Sequence, residues 1–277
     1  MARKNFYDLL SNMKFSYTDE YSALICLFKE EKCVWNRYSY VSVFEYVDNH
    51  YFRSLPFRGS YLNVSALMND LKLYDAPFVN LDSLFLLCEF LIAILPEEII
   101  KHNADLEKQA QVIFENIFSI LEKTNHKLFE IEENKFIVVE NNKAATQAAE
   151  IVEDDNVSFD LIKYNHYALK GNLSEKKKIL TSIGVYIEPI LSNKTFRDSM
   201  YKNLLSDTRF VFNNFHIRHN NLTGPKAQEY TQSLKDDELE KWYDKAYDLA
   251  IAVIIATECL PVQEELSELK KNYKWKT

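Results

Sequence analysis

Apolar residues recur along most of this chain at intervals of three and four, the spacing that lines one face of a helix. In TDEYSALICLFKEE, Thr18–Glu31, that spacing puts Tyr21, Leu24, Ile25 and Phe28 on one stripe. The aromatic-rich stretch Arg37–His50 repeats the pattern. Pro56 and Gly59 break the chain within Arg53–Gly59, and Asn63 is placed to cap a short helix running through Lys72. Pro77 breaks it again before Asn80, which caps an apolar helix at Leu81–Leu95 interrupted by Glu89. Pro96, followed by two glutamates, suits a new helix start. Asp105–Lys123 is predicted as a long helix with Val112, Ile113, Ile117 and Ile120 facing inward.

The period then changes. Lys127–Glu132 and Lys135–Glu140 flank Glu133 and Asn134 and predict a β-hairpin, the one strong strand signal in the chain. An Ala-rich helix follows at Ala144–Val152, and the acidic Glu153–Asn156 marks a soft domain boundary. Beyond it the pattern predicts four helices. The first is Ser158–Lys170, ended by Gly171. The second runs from Ser174 past Gly184 to about Leu191, with Pro189 kinking its last turn. The third runs from Thr195 to about Asn220, where Gly224 and Pro225 stop the chain. The fourth starts near Ser233, with Asp236 and Asp237 complementing the helix dipole, and ends near Leu260–Pro261 ahead of a short tail helix. The expected fold is mainly α: a helical N-terminal region, residues 1–153, with a small β-hairpin near 127–140, then a helical bundle over residues 154–277.

Composition agrees with a helical reading. The chain has 277 residues with 47% apolar content, enough for a sizeable core, and only four glycines. A net charge of −8 gives no general steering towards nucleic acid, so any RNA contact needs local cations. Cys26, Cys33, Cys88 and Cys259 are scattered and read as buried reduced thiols, which suits the cytoplasm. The runs Leu84–Leu95 and Leu249–Ala256 are too short to span a bilayer, and no signal-peptide pattern is visible, so no membrane partner is expected.

One segment stands out chemically. NNFHIRHNN places Asn213, Asn214, His216, Arg218, His219, Asn220 and Asn221 within nine residues. Asparagine is a poor helix former, so this concentration near a helix end is costly unless it serves something. On a helix, Arg209, Asn213, His216 and Asn220 share one face, and Asn214, Arg218 and Asn221 a neighbouring one. Histidine can move a proton near neutral pH, arginine can hold a phosphate, and asparagine can orient either. Those are the parts of a metal-independent RNA-cleaving site. They are equally the parts of a helix C-terminus, where His and Arg suit the dipole and Asn suits the stop. His216 and His219 lack a third ligand, so no metal and no cofactor are expected.

The C-terminal run resembles a HEPN domain of the bacterial abortive-infection, phage-defence type. The resemblance rests on IRHNN at Ile217–Asn221 and LEKWYDKAY at Leu239–Tyr247. It also uses YNHYALKGNLSEKKKIL at Tyr164–Leu180 and IEP at Ile187–Pro189, and it covers about residues 157–260. It implies a HEPN-like four-helix bundle that forms a homodimer, and a metal-independent endoribonuclease or RNA-binding effector of a defence or toxin–antitoxin system. The family's nuclease motif is an Arg, a polar residue and, a few residues on, a His. Here Arg218 is followed at once by His219, and Arg209 precedes His216 with Phe210 beside it. Three readings stay open: a permuted motif Arg218-His219-Asn220, a site built on Arg209 and His216, or a non-catalytic sensor or interaction module that binds a defence-system partner protein. In the first, Arg218 binds phosphate, His219 is the acid/base, and His216, Asn220 and Asn221 orient them.

Neighbouring residues enter as candidates. His166 sits on the first bundle helix, where it can approach the cluster. Lys176, Lys177 and Lys178 form a short basic patch that reads first as a solvated face. Trp242 and Tyr243 read as packing residues, leaving Glu240 or Asp244 to pair with Arg218.

Overall fold

The computed structural model describes residues 14–34, 39–55, 58–74, 79–95, 104–223 and 225–273. The chain is mainly helical and divides into two compact units, residues 1–138 and 139–277. The division falls ahead of the boundary expected at 153/154.

In the first unit, α1 (Tyr17–Lys29) is capped by the Ser16 hydroxyl, which accepts from the Asp19 amide. It buries Tyr21, Leu24 and Phe28, as the spacing predicts. The aromatic stretch expected to be helical over Arg37–His50 carries a strand at Ser39–Val41, and its first two residues lie outside the described ones. β1 (Lys32–Val34) pairs antiparallel with β2 (Ser39–Val41), and α2 (Val43–His50) starts only at a capping box made by Ser42 and Glu45. Asn63 and Asn80 cap α3 (Val64–Asp70) and α4 (Leu81–Ile94) through their side chains. The breaks expected at Pro56, Pro77 and Pro96 lie outside the described residues. α5 (Ala104–Lys123) packs on α1 and buries Ile113, Ile117 and Ile120, whereas Val112 is 41% exposed and does not face inward.

Two polar residues inside this unit have clear tasks. Gln109 of α5 is buried and donates through Nε2 to the carbonyls of Leu27 and Glu30 at 2.9 and 2.7 Å, closing the end of α1. Glu89, the charge within the apolar run, accepts from the Val138 amide at 2.6 Å. The expected hairpin is present: β3 (His126–Glu132) and β4 (Lys135–Glu140) flank a turn in which Asn134 takes a φ of 60°.

In the second unit, α6 (Lys143–Ile151) packs on α7 (Asp155–Lys163) and on the last helix. α7 stops at Lys163, and a 3-10 turn at Tyr167–Leu169 carries the chain to Gly171, whose φ is +77°. α8 (Leu173–Ser192) accommodates Pro189 in its last turn. The third predicted helix is two: α9 (Lys194–Arg197) and α10 (Lys202–Asn214). After the short α11 (Glu229–Ser233), α12 (Asp236–Asn272) runs unbroken through Pro261, where a stop was expected. α7, α8, α10 and α12 make the four-helix bundle, with α6 added against α7 and α12. α12 is long and apolar enough to cross a membrane by length and composition, but its apolar stretch buries Tyr243, Ala246, Tyr247, Ala250, Val253 and Ile254 against α6, α8 and α10.

Cys88 is buried, and burial pushes its thiol up to about 12; Cys26 and Cys259 are exposed free thiols, unlike the buried state expected of them.

Candidate functional site

The polar cluster does not lie on a helix. α10 ends at Asn214, and residues 215–223 form a folded loop, so the continuous faces expected for Arg209, Asn213, His216 and Asn220 do not exist. The reason is local: His216 has a φ of 59°, the left-handed conformation that ends helices and that glycine usually supplies. The Arg218 amide then turns back to the Phe212 carbonyl at 3.1 Å.

Asn221 holds the loop in place. It is 2% exposed; its Oδ1 accepts from the His216 amide at 3.0 Å, its Nδ2 donates to the Lys226 carbonyl at 3.1 Å, and its own carbonyl accepts from Gln228 at 2.9 Å. Asn220 caps a turn by accepting from the amides of Leu222 and Thr223. Asn214 donates to the Phe210 carbonyl, and its own carbonyl accepts from the Thr231 hydroxyl at 2.7 Å. Phe215, buried, stacks on Trp242 with centroids 4.0 Å apart, while the exposed Phe210 and Tyr230 meet its edges. Asn213 is half-buried at the helix end.

The two histidines are in different situations. His216 accepts through Nε2 from the Lys177 ammonium at 2.9 Å. An ammonium can only donate, so the ring proton sits on Nδ1. That Nδ1 is buried without a hydrogen-bond partner. Burial and the adjacent Lys177 charge hold the His216 pKa below the ordinary value, opposed only by the nearby His219 carbonyl. Burial likewise lowers the Lys177 pKa. His219 is half-buried, with Nδ1 3.3 Å from the Lys226 ammonium.

Arg218 forms an ion pair with Glu188 of α8, its side chain 26% exposed. The carboxylates expected to serve it are elsewhere: Glu240 and Asp244 both bind Lys176, at 2.8 and 2.6 Å. Lys176 is buried beneath the Tyr164 ring, and the Tyr164 hydroxyl donates to Asp244 at 2.9 Å. The three lysines therefore do not form a solvated patch. Lys176 is interior, Lys177 serves His216, and Lys178 pairs with Glu175. Arg209 points away from the loop to the end of α8, donating to the Leu191 carbonyl at 2.9 Å. His166 is bridged to Val139 and edges onto Tyr167.

Three cations touch the loop: Lys177 at His216, Arg218 at Glu188 and Lys226 at His219. Lys177 and Glu188 were not singled out as site residues from sequence. Both lie in segments that carry the family resemblance, and only the packing of α8 beside the loop assigns their roles. Among the described residues no group of three His, Cys, Asp or Glu could hold a metal ion. Comparison with known proteins places the chain nowhere: no family model, no curated protein and no solved structure matches it.

Proposed function

We propose that this chain is a HEPN-like helical protein of a defence or toxin–antitoxin system whose C-terminal bundle acts as a non-catalytic recognition module. The observation that carries the reading is the use of the cluster's polar groups inside the fold. Arg218 is engaged by Glu188, Asn221 is buried at the centre of the loop, and Asn214 and Asn220 bond the backbone beside them. A nuclease needs its arginine and acid/base free to meet a phosphate. A recognition loop needs to be held rigid, which is what these bonds do, and it displays exposed aromatic anchors, here Phe210 and Tyr230.

One observation favours a second reading, a metal-independent endoribonuclease. His216 is held neutral beside Lys177, in a left-handed backbone conformation, with an unpartnered Nδ1. Strained backbone and perturbed histidines concentrate at active sites. Catalysis would then centre on His216 and Lys177, with Arg218 released from Glu188 to bind phosphate. Incubating the purified chain with total RNA in EDTA, beside His216→Ala, His219→Ala and Arg218→Ala, separates the two. The recognition reading expects no cleavage that any variant abolishes. EDTA-resistant cleavage lost in His216→Ala would replace it with the nuclease.

A further inference from the structure

A pocket of about 330 Å³ opens at the corner where the end of α8 meets α9 and the start of α10. Its size falls at the lower end of small-molecule sites, roughly 300–1,000 Å³. Lys202, Leu205, Ser206 and Arg209 line it from one face of α10, at the spacing of helical neighbours. Arg197 and Asp198 line it from the end of α9, and the buried Leu191 and Leu205 supply its apolar part. Three cations therefore share one pocket with a single carboxylate. Among the described residues no carboxylate, Asp198 included, pairs with Arg197, Lys202 or Arg209. The chain carries 41 acidic residues against 33 basic ones, so a lack of acids does not explain three unpaired cations in one place.

Arg209 separates this corner from an ordinary solvated patch. It is half-buried, and its Nη2 donates to the Leu191 carbonyl at 2.9 Å and to the Ser192 hydroxyl at 3.3 Å. Those bonds close the end of α8 and hold the guanidinium still. They leave Nε and Nη1 unspent, and these donors meet no acceptor among the described residues. A cation fixed in advance with free donors loses little entropy when an anion arrives. Lys202 opens α10, where the helix dipole favours an anion over a cation, and a bound anion would offset that penalty. Ser206 adds a hydroxyl on the same face.

The lining selects the charge of the ligand. A phosphate monoester carries about −1.5 to −2 charge at neutral pH and presents three acceptor oxygens, which suits three cations against one carboxylate. A phosphodiester carries a single charge and is tethered on both sides, so it enters a pocket of this size poorly. We propose that this pocket binds the phosphate of a small phosphate monoester, with Arg209 holding it through its free donors, Arg197 and Lys202 balancing its charge and Ser206 orienting it. The inference is independent of what the polar loop does.

NMR of the arginine Nε–H groups in the full chain tests it, by titration with inorganic phosphate near neutral pH against sodium chloride of matched ionic strength. The Arg197 and Arg209 signals are expected to shift together along one saturation curve. Glycerol phosphate reproduces the shifts and glycerol does not. Lys202→Gln and Arg197→Gln, both at exposed positions, each weaken binding about three- to tenfold. Arg209→Lys keeps the charge, loses the planar fork and weakens it at least as much, read on Arg197. Lys194→Gln, an exposed cation of α9 that lines a neighbouring groove instead, leaves binding unchanged. Circular dichroism of each variant verifies that the bundle is intact. Three results overturn the proposal: signals that respond to phosphate no differently from chloride, a loss in Lys194→Gln equal to that in Lys202→Gln, or an oligoribonucleotide without terminal phosphate that shifts Arg209 at lower concentration than glycerol phosphate does.

Discussion

The Lys177 ammonium lies 2.9 Å from Nε2 of His216, joining the start of α8 to the residue that ends α10. Nothing in the sequence spacing places these two together, since they are 39 residues apart. The contact fixes the imidazole tautomer and keeps the ring neutral. It also sets a sign for pH dependence. The folded-state pKa of His216 is depressed by burial and by Lys177, so the unfolded chain binds a proton more readily. As pH falls below about 6.5, the ordinary histidine value, His216 draws stability out of the fold. Above that value both states are neutral at this position and the contribution vanishes.

Replacing Lys177 with Met removes the charge but keeps the stem. The His216 titration midpoint then rises towards the ordinary value, and the acid loss of stability between pH 6.5 and the folded midpoint shrinks. Imidazole NMR titration of the two proteins measures the shift. An unchanged midpoint would show that the lysine charge has no part in it.

Asn221→Ala removes the buried side chain that holds the loop. It leaves the His216 amide and the Lys226 carbonyl without their partners, for a cost of about 1–3 kcal/mol. Asn220→Ala, at an exposed turn, is expected to cost well under half as much. Urea denaturation of both variants ranks them. Equal effects would mean that burial of Asn221 carries no special weight.

Much of this architecture is legible in the sequence, and the failures have physical causes. Caps at Asn63 and Asn80 follow from side-chain chemistry alone. Helix existence follows from apolar spacing in the same way. The end of α10 does not, because the left-handed turn at His216 is a non-glycine one, held by the bond from its amide to Asn221 five residues on. The run of three lysines was visible, but their fates diverge because successive helical residues point about 100° apart. Composition marks such a run as basic without saying which one is buried. The polar cluster was likewise legible as a place. Its roles were not, because Glu188 and Lys177 act on it across the fold.

Lys176 supplies a sharper contrast with its neighbour Lys178. Lys176 is buried and neutralises Glu240 and Asp244, while Lys178 is exposed and pairs with Glu175 within one turn. Lys176→Met leaves two acids facing each other beside the Tyr164 hydroxyl. Losing one member of a buried pair costs roughly 3–5 kcal/mol, and the half-exposed Asp244 brings the expectation to the lower end, about 3. Lys178→Met is expected to cost under about 0.5 kcal/mol. Thermal unfolding of the two variants at pH 7 distinguishes them, and similar midpoints would remove the case for a structural ion cluster.

Gly184 tests the packing beneath the loop. It lies mid-helix in α8, where glycine weakens a helix by about 1 kcal/mol relative to alanine, so its presence calls for a steric reason. A Cβ at this position would stand 3.0 Å from two ring carbons of Phe212, which is fully buried in α10, and 4.0 Å from the Arg218 side chain. Phe212 also supplies the carbonyl that receives the Arg218 amide. Gly184→Val therefore pushes the ring and, through it, the turn that sets Arg218 against Glu188. Overpacking of this kind costs about 1–3 kcal/mol despite the gain in helix propensity. Pairing Gly184→Val with Phe212→Leu, which shortens the opposing side chain, is expected to recover part of the loss. If Gly184→Val proves as stable as the wild type in urea, then α8 and α10 are free to separate at this crossing and the loop above them is held by its own bonds alone.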